Sequence, residues 1–208
     1  MTNGVTIQYI YRYKNNKEYI KPLVILPTEI KPKVKEPIIE VFFFSENCAH
    51  CRTHLDSNFP CSNRNCSILS LRRFVTYLLS SRRTLDICVY FLTCSLIVKQ
   101  ILKLKRRNIY IRVITNKEAQ DVEPMQILIL RRAGIQIRSR KSTYLMHHKF
   151  AVIDNEILIT GSANWTLQAF FGNCENLIIT NQCELVQAYS LEFEKLWFRF
   201  RMNKKAVL

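Results

Sequence analysis

Met146-His147-His148-Lys149-Phe150-Ala151-Val152-Ile153-Asp154, followed closely by Gly161-Ser162-Ala163-Asn164, is the stretch from which the rest of this 208-residue chain is read. His147 to Ile153 reads as a strand, Asp154-Asn155-Glu156 as a turn, Ile157 to Thr160 as a second strand and Gly161 to Asn164 as a loop. Downstream, a short helix is expected over Trp165 to Phe171 and a strand over Leu177 to Thr180. A long amphipathic helix is expected over Cys183 to Phe200, carrying Leu185, Val186, Tyr189, Phe193, Leu196 and Trp197.

Upstream, strand and helix alternate. Val41 to Phe44 reads as strand and Ile68 to Ser81 as helix. Leu85 to Leu92 is strand, Ser95 to Arg107 helix and Ile109 to Ile114 strand. A helix over Val122 to Arg132 stops at Gly134, and a short strand covers Ile135 to Arg138. This order predicts an α/β fold with a mixed, largely parallel sheet flanked by helices, its domain spanning residues 41–208. Residues 1–40 read as an extended arm: Pro22, Pro27, Pro32 and Pro37 recur every five residues, interleaved with Lys31, Lys33 and Lys35, and Leu23 to Leu26 could form one edge strand. No internal repeat is visible.

Composition bounds the function. Apolar residues make up 48% of the chain, which excludes wholesale disorder. Thirty-one Lys and Arg against 16 Asp and Glu leave a net charge of +15, which favours an anionic partner such as nucleic acid, phospholipid headgroups or a phosphorylated substrate. The 12-residue run from Ile87 to Val98 is too short to span a bilayer, and Met1 to Ile10 does not read as a secretory signal. Eight cysteines in a chain of this length do not suggest a secreted disulfide scaffold. Cys48, Cys51, Cys61 and Cys66 instead form two close pairs whose thiolates would suit a tetrahedral structural Zn²⁺, with His50 and His54 as rival ligands.

On a strand, His147 and Lys149 share one face, and His148, Phe150 and Val152 the other. An ammonium beside an imidazole can neutralise a phosphodiester while the imidazole serves as nucleophile or proton carrier. Asn164 lies on a loop that could seat a phosphate on backbone amides. Asp154, seven residues beyond His147, falls on the opposite face and reads as a turn holder. The basic run Arg138-x-Arg140-Lys141 precedes the motif and could track a nucleic-acid backbone into the site, with Tyr144 placed to stack a base.

These residues resemble the HxK(x)4D(x)6GS signature of the phospholipase D superfamily, matched by His147, Lys149, Asp154, Gly161 and Ser162, with Asn164 and the downstream acid Glu175 in Asn173-Cys174-Glu175-Asn176. Thr84-Leu85-Asp86-Ile87-Cys88, Arg132-Ala133-Gly134-Ile135, Met146 to Phe150 and Ile159 to Thr166 are similar to the single-motif Zucchini, or mitochondrial cardiolipin hydrolase, branch. The resemblance covers roughly residues 41–200. It implies a homodimer with one shared site and a metal-independent phosphodiesterase working through a phosphohistidine. His147 would attack, its dimer mate would protonate the leaving oxygen, and Lys149, Asn164 and Ser162 would hold the phosphate. Glu175 would orient an imidazole, and Asp154 belongs to the same catalytic signature. The family's zinc site is three Cys and one His, so four Cys here depart from it; His54 in place of Cys51 would restore the set.

The resemblance further implies a single-strand-specific endoribonuclease of Piwi-interacting RNA biogenesis leaving 5′-phosphate ends, or a cardiolipin hydrolase giving phosphatidate at the cytosolic face of the mitochondrial outer membrane. A non-catalytic RNA-binding scaffold is the third reading, which the intact motif disfavours. Since no membrane anchor is read in residues 1–40, a soluble cytoplasmic protein is the alternative location.

Overall fold

β-Branched and aromatic residues flanked by turn formers build the sheet, and one tight turn shapes its centre. Asp154 and Asn155 both take left-handed backbone conformations (φ 54° and 55°), and the Glu156 amide donates to the Ile153 carbonyl at 2.8 Å. This is the hairpin turn whose twist matches that of its flanking strands, and it selects residues that tolerate positive φ.

The computed structural model of the chain describes residues 12–14, 17–19, 36–55, 61, 66–116, 123–139 and 144–201. It divides into two units, Met1–Glu36 and Pro37–Leu208. In the first, β1 (Arg12–Lys14) pairs antiparallel with β2 (Lys17–Tyr19). Leu23 to Leu26, Arg140 and Lys141 lie outside the described residues.

The second unit holds a seven-stranded sheet made of β3 (Ile39–Phe44), β4 (Thr84–Val89), β5 (Tyr110–Thr115), β6 (Gln136–Arg138), β7 (Lys149–Ile153), β8 (Ile157–Gly161) and β9 (Glu175–Thr180). Their spatial order is β3-β9-β8-β7-β4-β5-β6. Helices α1 (Ser67–Leu79), α2 (Ser95–Arg106), α3 (Met125–Arg132) and α4 (Leu167–Gly172) accompany one hydrophobic core, and α5 (Cys183–Arg199) packs in the other. The helix-flanked mixed α/β sheet expected from sequence is therefore present.

The expected share of parallel pairing is corrected. Only β4–β5 and β5–β6 run parallel; β3–β9, β9–β8, β8–β7 and β7–β4 are antiparallel. The physical reason is connection length: α2 and α3 provide the crossovers that parallel neighbours need, whereas a two-residue turn permits only an antiparallel hairpin.

The two cores explain the periodicities. Leu71, Phe74 and Leu78 of α1 and Ile97, Ile101 and Leu104 of α2 share a core with Leu85, Ile87 and Val89. On the other face, Phe193, Leu196 and Trp197 of α5 join Phe150, Val152 and Leu158. Arg112 fastens this layer: its guanidinium makes a two-pronged pair with Asp86 at 2.7 and 2.8 Å and reaches Glu194 of α5 at 2.5 Å. All five residues of β7 are buried, which makes it a central strand. Gly134, at φ 74°, follows α3 as the sequence predicted.

Asp154 ties the far end of β7 to β4. Its carboxylate accepts the amides of Arg82, Arg83 and Thr84 at 2.8, 2.8 and 2.7 Å. Burial alone would raise its pKa; the three amides outweigh burial and hold it below the ordinary carboxylate value. A lowered folded-state pKa means this stabilisation is present above about pH 4 and is lost as pH falls through the folded value. Asp154→Ala is expected to cost about 2–3 kcal/mol in urea unfolding near neutral pH, with the difference from wild type shrinking in acid.

Candidate active site

Lys149 opens β7 and His147 lies just before it, where sequence reading had already begun the strand. The ladder to β4 continues one step past both strands, since the Tyr90 amide donates to the His148 carbonyl at 2.9 Å. Backbone alternation is thus kept, and His147 and Lys149 converge as parity predicted. Lys149 is buried, and its Nζ donates to the His147 carbonyl at 2.7 Å and lies 2.9 Å from His147 Nδ1. Tyr90 at the end of β4 braces both: its ring centroid is 4.8 Å from that of His147 and 5.4 Å from Lys149 Nζ.

The electrostatics suit a nucleophile. Burial first, then the Lys149 charge and His148, lower the His147 pKa. A neutral imidazole, the form with a lone pair to attack phosphorus, is thereby favoured at physiological pH. Burial also lowers the pKa of Lys149, opposed by the field of Glu175. A partly dehydrated ammonium has already lost part of the water it would shed on pairing, so an arriving anion interacts with it more strongly than with a solvated one.

The Gly161–Trp165 loop forms the adjoining wall. A Cβ on Gly161 would stand 2.1 Å from the Asn176 carbonyl oxygen, so only glycine permits this approach of β8 to β9. The Ser162 and Ala163 amides donate to the same carbonyl, and the Trp165 amide donates to Phe91 at 2.9 Å. These amides therefore fix the loop, whereas sequence reading had offered them to a phosphate. Within it, Asn164 Oδ1 is buried without a hydrogen-bond partner among the described residues; its side-chain Nδ2 is the group that could donate to a phosphate oxygen.

Glu175 opens β9. Its carboxylate accepts the Ser162 hydroxyl at 2.5 Å and the Asn173 side-chain amide at 3.1 Å, and among the described residues it makes no hydrogen bond to His147. Ser162 in turn accepts the Asn176 amide at 3.1 Å. Within one chain, then, Glu175 and Ser162 shape the loop that carries Asn164. Asp154 stands outside this cluster at the other end of β7. Arg138, expected to track substrate, lies with its guanidinium 3.9 Å over the Trp197 ring and donates to the Trp197 carbonyl. Tyr90 was missed by sequence reading; its signal was position alone, one residue beyond a buried strand.

Three thiols gather elsewhere. Cys51, Cys61 and Cys66 place their sulfurs within 4.8 Å of one another, and the first two are 3.7 Å apart. Such separations match sulfurs about 2.3 Å from one tetrahedral ion, so the donor set fits a soft divalent cation. Burial first, then the neighbouring Cys66 and Cys61, push the Cys51 thiol up to about 12; a bound cation acts in the opposite sense. Cys48 is not one of the three. Residues 46–54 form a 3₁₀ helix, and one turn separates Cys48 from Cys51 by about 6 Å along its axis. The imidazole touching the triad is His50, with Nε2 3.5 Å from Cys51 Sγ, while buried His54 Nδ1 has no hydrogen-bond partner among the described residues. Cys66→Ser is expected to lower bound metal in the purified protein, measured by elemental mass spectrometry; an unchanged metal content would exclude Cys66 as a ligand.

Comparison with known proteins joins this geometry to a family. The model described as "Cardiolipin synthase, PLD-like domain" matches residues 74–197. The chain belongs to the phospholipase D superfamily. Within it, the chain is 33% identical over 194 residues to the mitochondrial cardiolipin hydrolase of Xenopus laevis, covering 93% of this chain and 84% of that protein. It is 39% identical over 170 residues to the protein of the same name from Danio rerio, covering 77% and 73%. In fold it is similar to Nuc of Salmonella typhimurium, a phospholipase D family member, with a TM-score of 0.61 at 20% identity over 80% of this chain and 97% of that one. As a phospholipase D superfamily member the protein is a phosphodiesterase, and its mixed sheet and metal-competent Cys triad stand within that fold. Among the described residues no helix is long and apolar enough to cross a membrane.

Proposed function

We propose that the protein is a metal-independent, single-strand-specific endoribonuclease of small-RNA biogenesis, leaving 5′-phosphate ends. The observation that carries the chemistry is the His147–Lys149 pair, an imidazole of lowered pKa against a buried ammonium. The net charge of +15 favours a polyanion as substrate.

His147 attacks phosphorus; a P–N bond forms as the P–O bond to the leaving ribose oxygen breaks. That oxygen takes a proton from the partner subunit's His147, which then removes one from water. The resulting hydroxide attacks phosphorus, breaks the P–N bond and releases a phosphomonoester. Lys149 and Asn164 of both subunits balance charge on the non-bridging oxygens, and Glu175, Ser162 and Asp154 position the strands that carry them. Zn²⁺ in the Cys51–Cys61–Cys66 triad would hold the insertion together and take no part in a chemical step.

The names of the relatives favour a second reading: cardiolipin hydrolysis to phosphatidate by the same steps, at the mitochondrial surface. Incubation with labelled single-stranded RNA and with cardiolipin vesicles, both in EDTA, separates them. RNA fragments bearing 5′-phosphates support the nuclease. Phosphatidate release with intact RNA supports the lipase, and no turnover of either leaves a binding scaffold.

A further inference from the structure

A cavity of about 220 Å³ lies beside His147, lined by residues 144–148 and by Glu192, Leu196, Arg199 and Phe200 in and after α5. His147 lines it while also meeting Lys149 and Tyr90, so one imidazole is a wall of both spaces. Leu196 and Phe200, both buried, offer an apolar surface within it. Tyr144, 84% exposed, stands in its lining, as do His148 and Glu192, whose Nε2 and Oε1 are 4.0 Å apart.

This chemistry selects among occupants. The lining carries one carboxylate, Glu192, whose Oε2 also takes Lys195 Nζ at 3.1 Å, and one guanidinium, Arg199, so it lacks the cationic excess of a second phosphate seat. A carboxylate and an imidazole are also poor company for an acyl chain, which would leave both desolvated and unpaired. A flat ring with an apolar face and both N–H groups and ring nitrogens on its edge suits this lining: the face meets Tyr144, Leu196 and Phe200, and the edge donates to Glu192 and accepts from Arg199. We propose that this cavity is a base-binding subsite for the nucleotide next to the scissile phosphate. The proposal deepens the nuclease reading and rests on it for its place in the reaction. Its own content, recognition of a nucleobase beside a bound phosphate, is measurable without turnover.

The test compares adenosine 5′-monophosphate with ribose 5-phosphate by titration calorimetry on the whole protein and on Tyr144→Ala and Glu192→Ala. Stacking of one base on an aromatic side chain predicts roughly tenfold tighter binding of the nucleotide to wild type. That ratio should collapse towards one in Tyr144→Ala and narrow in Glu192→Ala. Equal affinities in wild type, or a ratio that survives both substitutions, would overturn the subsite. So would a loss of dihexanoyl phosphatidate affinity in Tyr144→Ala without any change in the nucleotide ratio, which would make the cavity an acyl pocket. RNA cleavage is followed in parallel. A tenfold ratio with uncut RNA refutes the nuclease and leaves the subsite standing; cut RNA with a ratio of one does the reverse.

Discussion

His147→Ala is expected to reduce phosphodiester turnover by about three orders of magnitude or more while leaving the fold intact, because in the proposed mechanism its imidazole forms the covalent intermediate. The side chain is exposed, lies before β7 begins, and is not part of either hydrophobic core, so its truncation removes chemistry without opening a cavity. Thermal unfolding should match wild type within about 0.5 kcal/mol, as for surface substitutions generally. Residual cleavage well above one part in a thousand, in protein of unaltered melting behaviour, would remove His147 as nucleophile. Lys149→Ala is a less clean comparison: Lys149 is buried and bonded to the His147 carbonyl, so its loss disturbs the nucleophile's position as well as the charge that receives phosphate.

Equal mixing of wild-type and His147→Asn chains is expected to leave about one quarter of the activity of the same total of wild type, if subunits re-assort at random within a two-fold dimer. The chain has one His-Lys motif, whereas the proposed sequence of attack and leaving-group protonation uses two imidazoles. A two-fold axis through the phosphate supplies both from identical chains. Independent sites would leave about one half under the same random pairing. Native mass spectrometry establishes that re-assortment is complete, and a value near one half would then dismiss the shared site.

The sequence was most legible where local rules decide the outcome. Strand alternation put His147 beside Lys149 and set Phe150 on the other face, and burial and contacts follow that division. The parity that turned Asp154 away from the site agrees with its three backbone amide partners, because a residue at a hairpin turn is governed by its own φ and immediate neighbours. Long-range choices were less readable. Strand–helix alternation suggested a mixed but largely parallel sheet, and nothing in β3, β8 or β9 taken singly says which neighbour each will adopt. Tyr90 could not be found by chemical type, since its role comes from two rings and an ammonium brought together across β4 and β7. The cysteine spacing located the cluster, in which Cys51, Cys61 and Cys66 come together. For Arg138, a basic neighbour of the motif in sequence proved to be a partner of Trp197 in space.

β7 is fastened at both ends, to Thr84 and the amides before it through Asp154 and to Tyr90 through the His148 carbonyl. It therefore acts as a gauge block of roughly 20 Å, seven residue steps from His147 to Asp154. One extra residue between these points would turn every following side chain through half a revolution, sending Phe150-type positions into the wrong core or pulling the carboxylate off its amides. The spacing between the histidine and the aspartate is accordingly a tolerance imposed by the sheet's carpentry. Engineers seeking altered substrates can exchange side chains along the two rims of this block, but the length of the block itself has no adjustable setting.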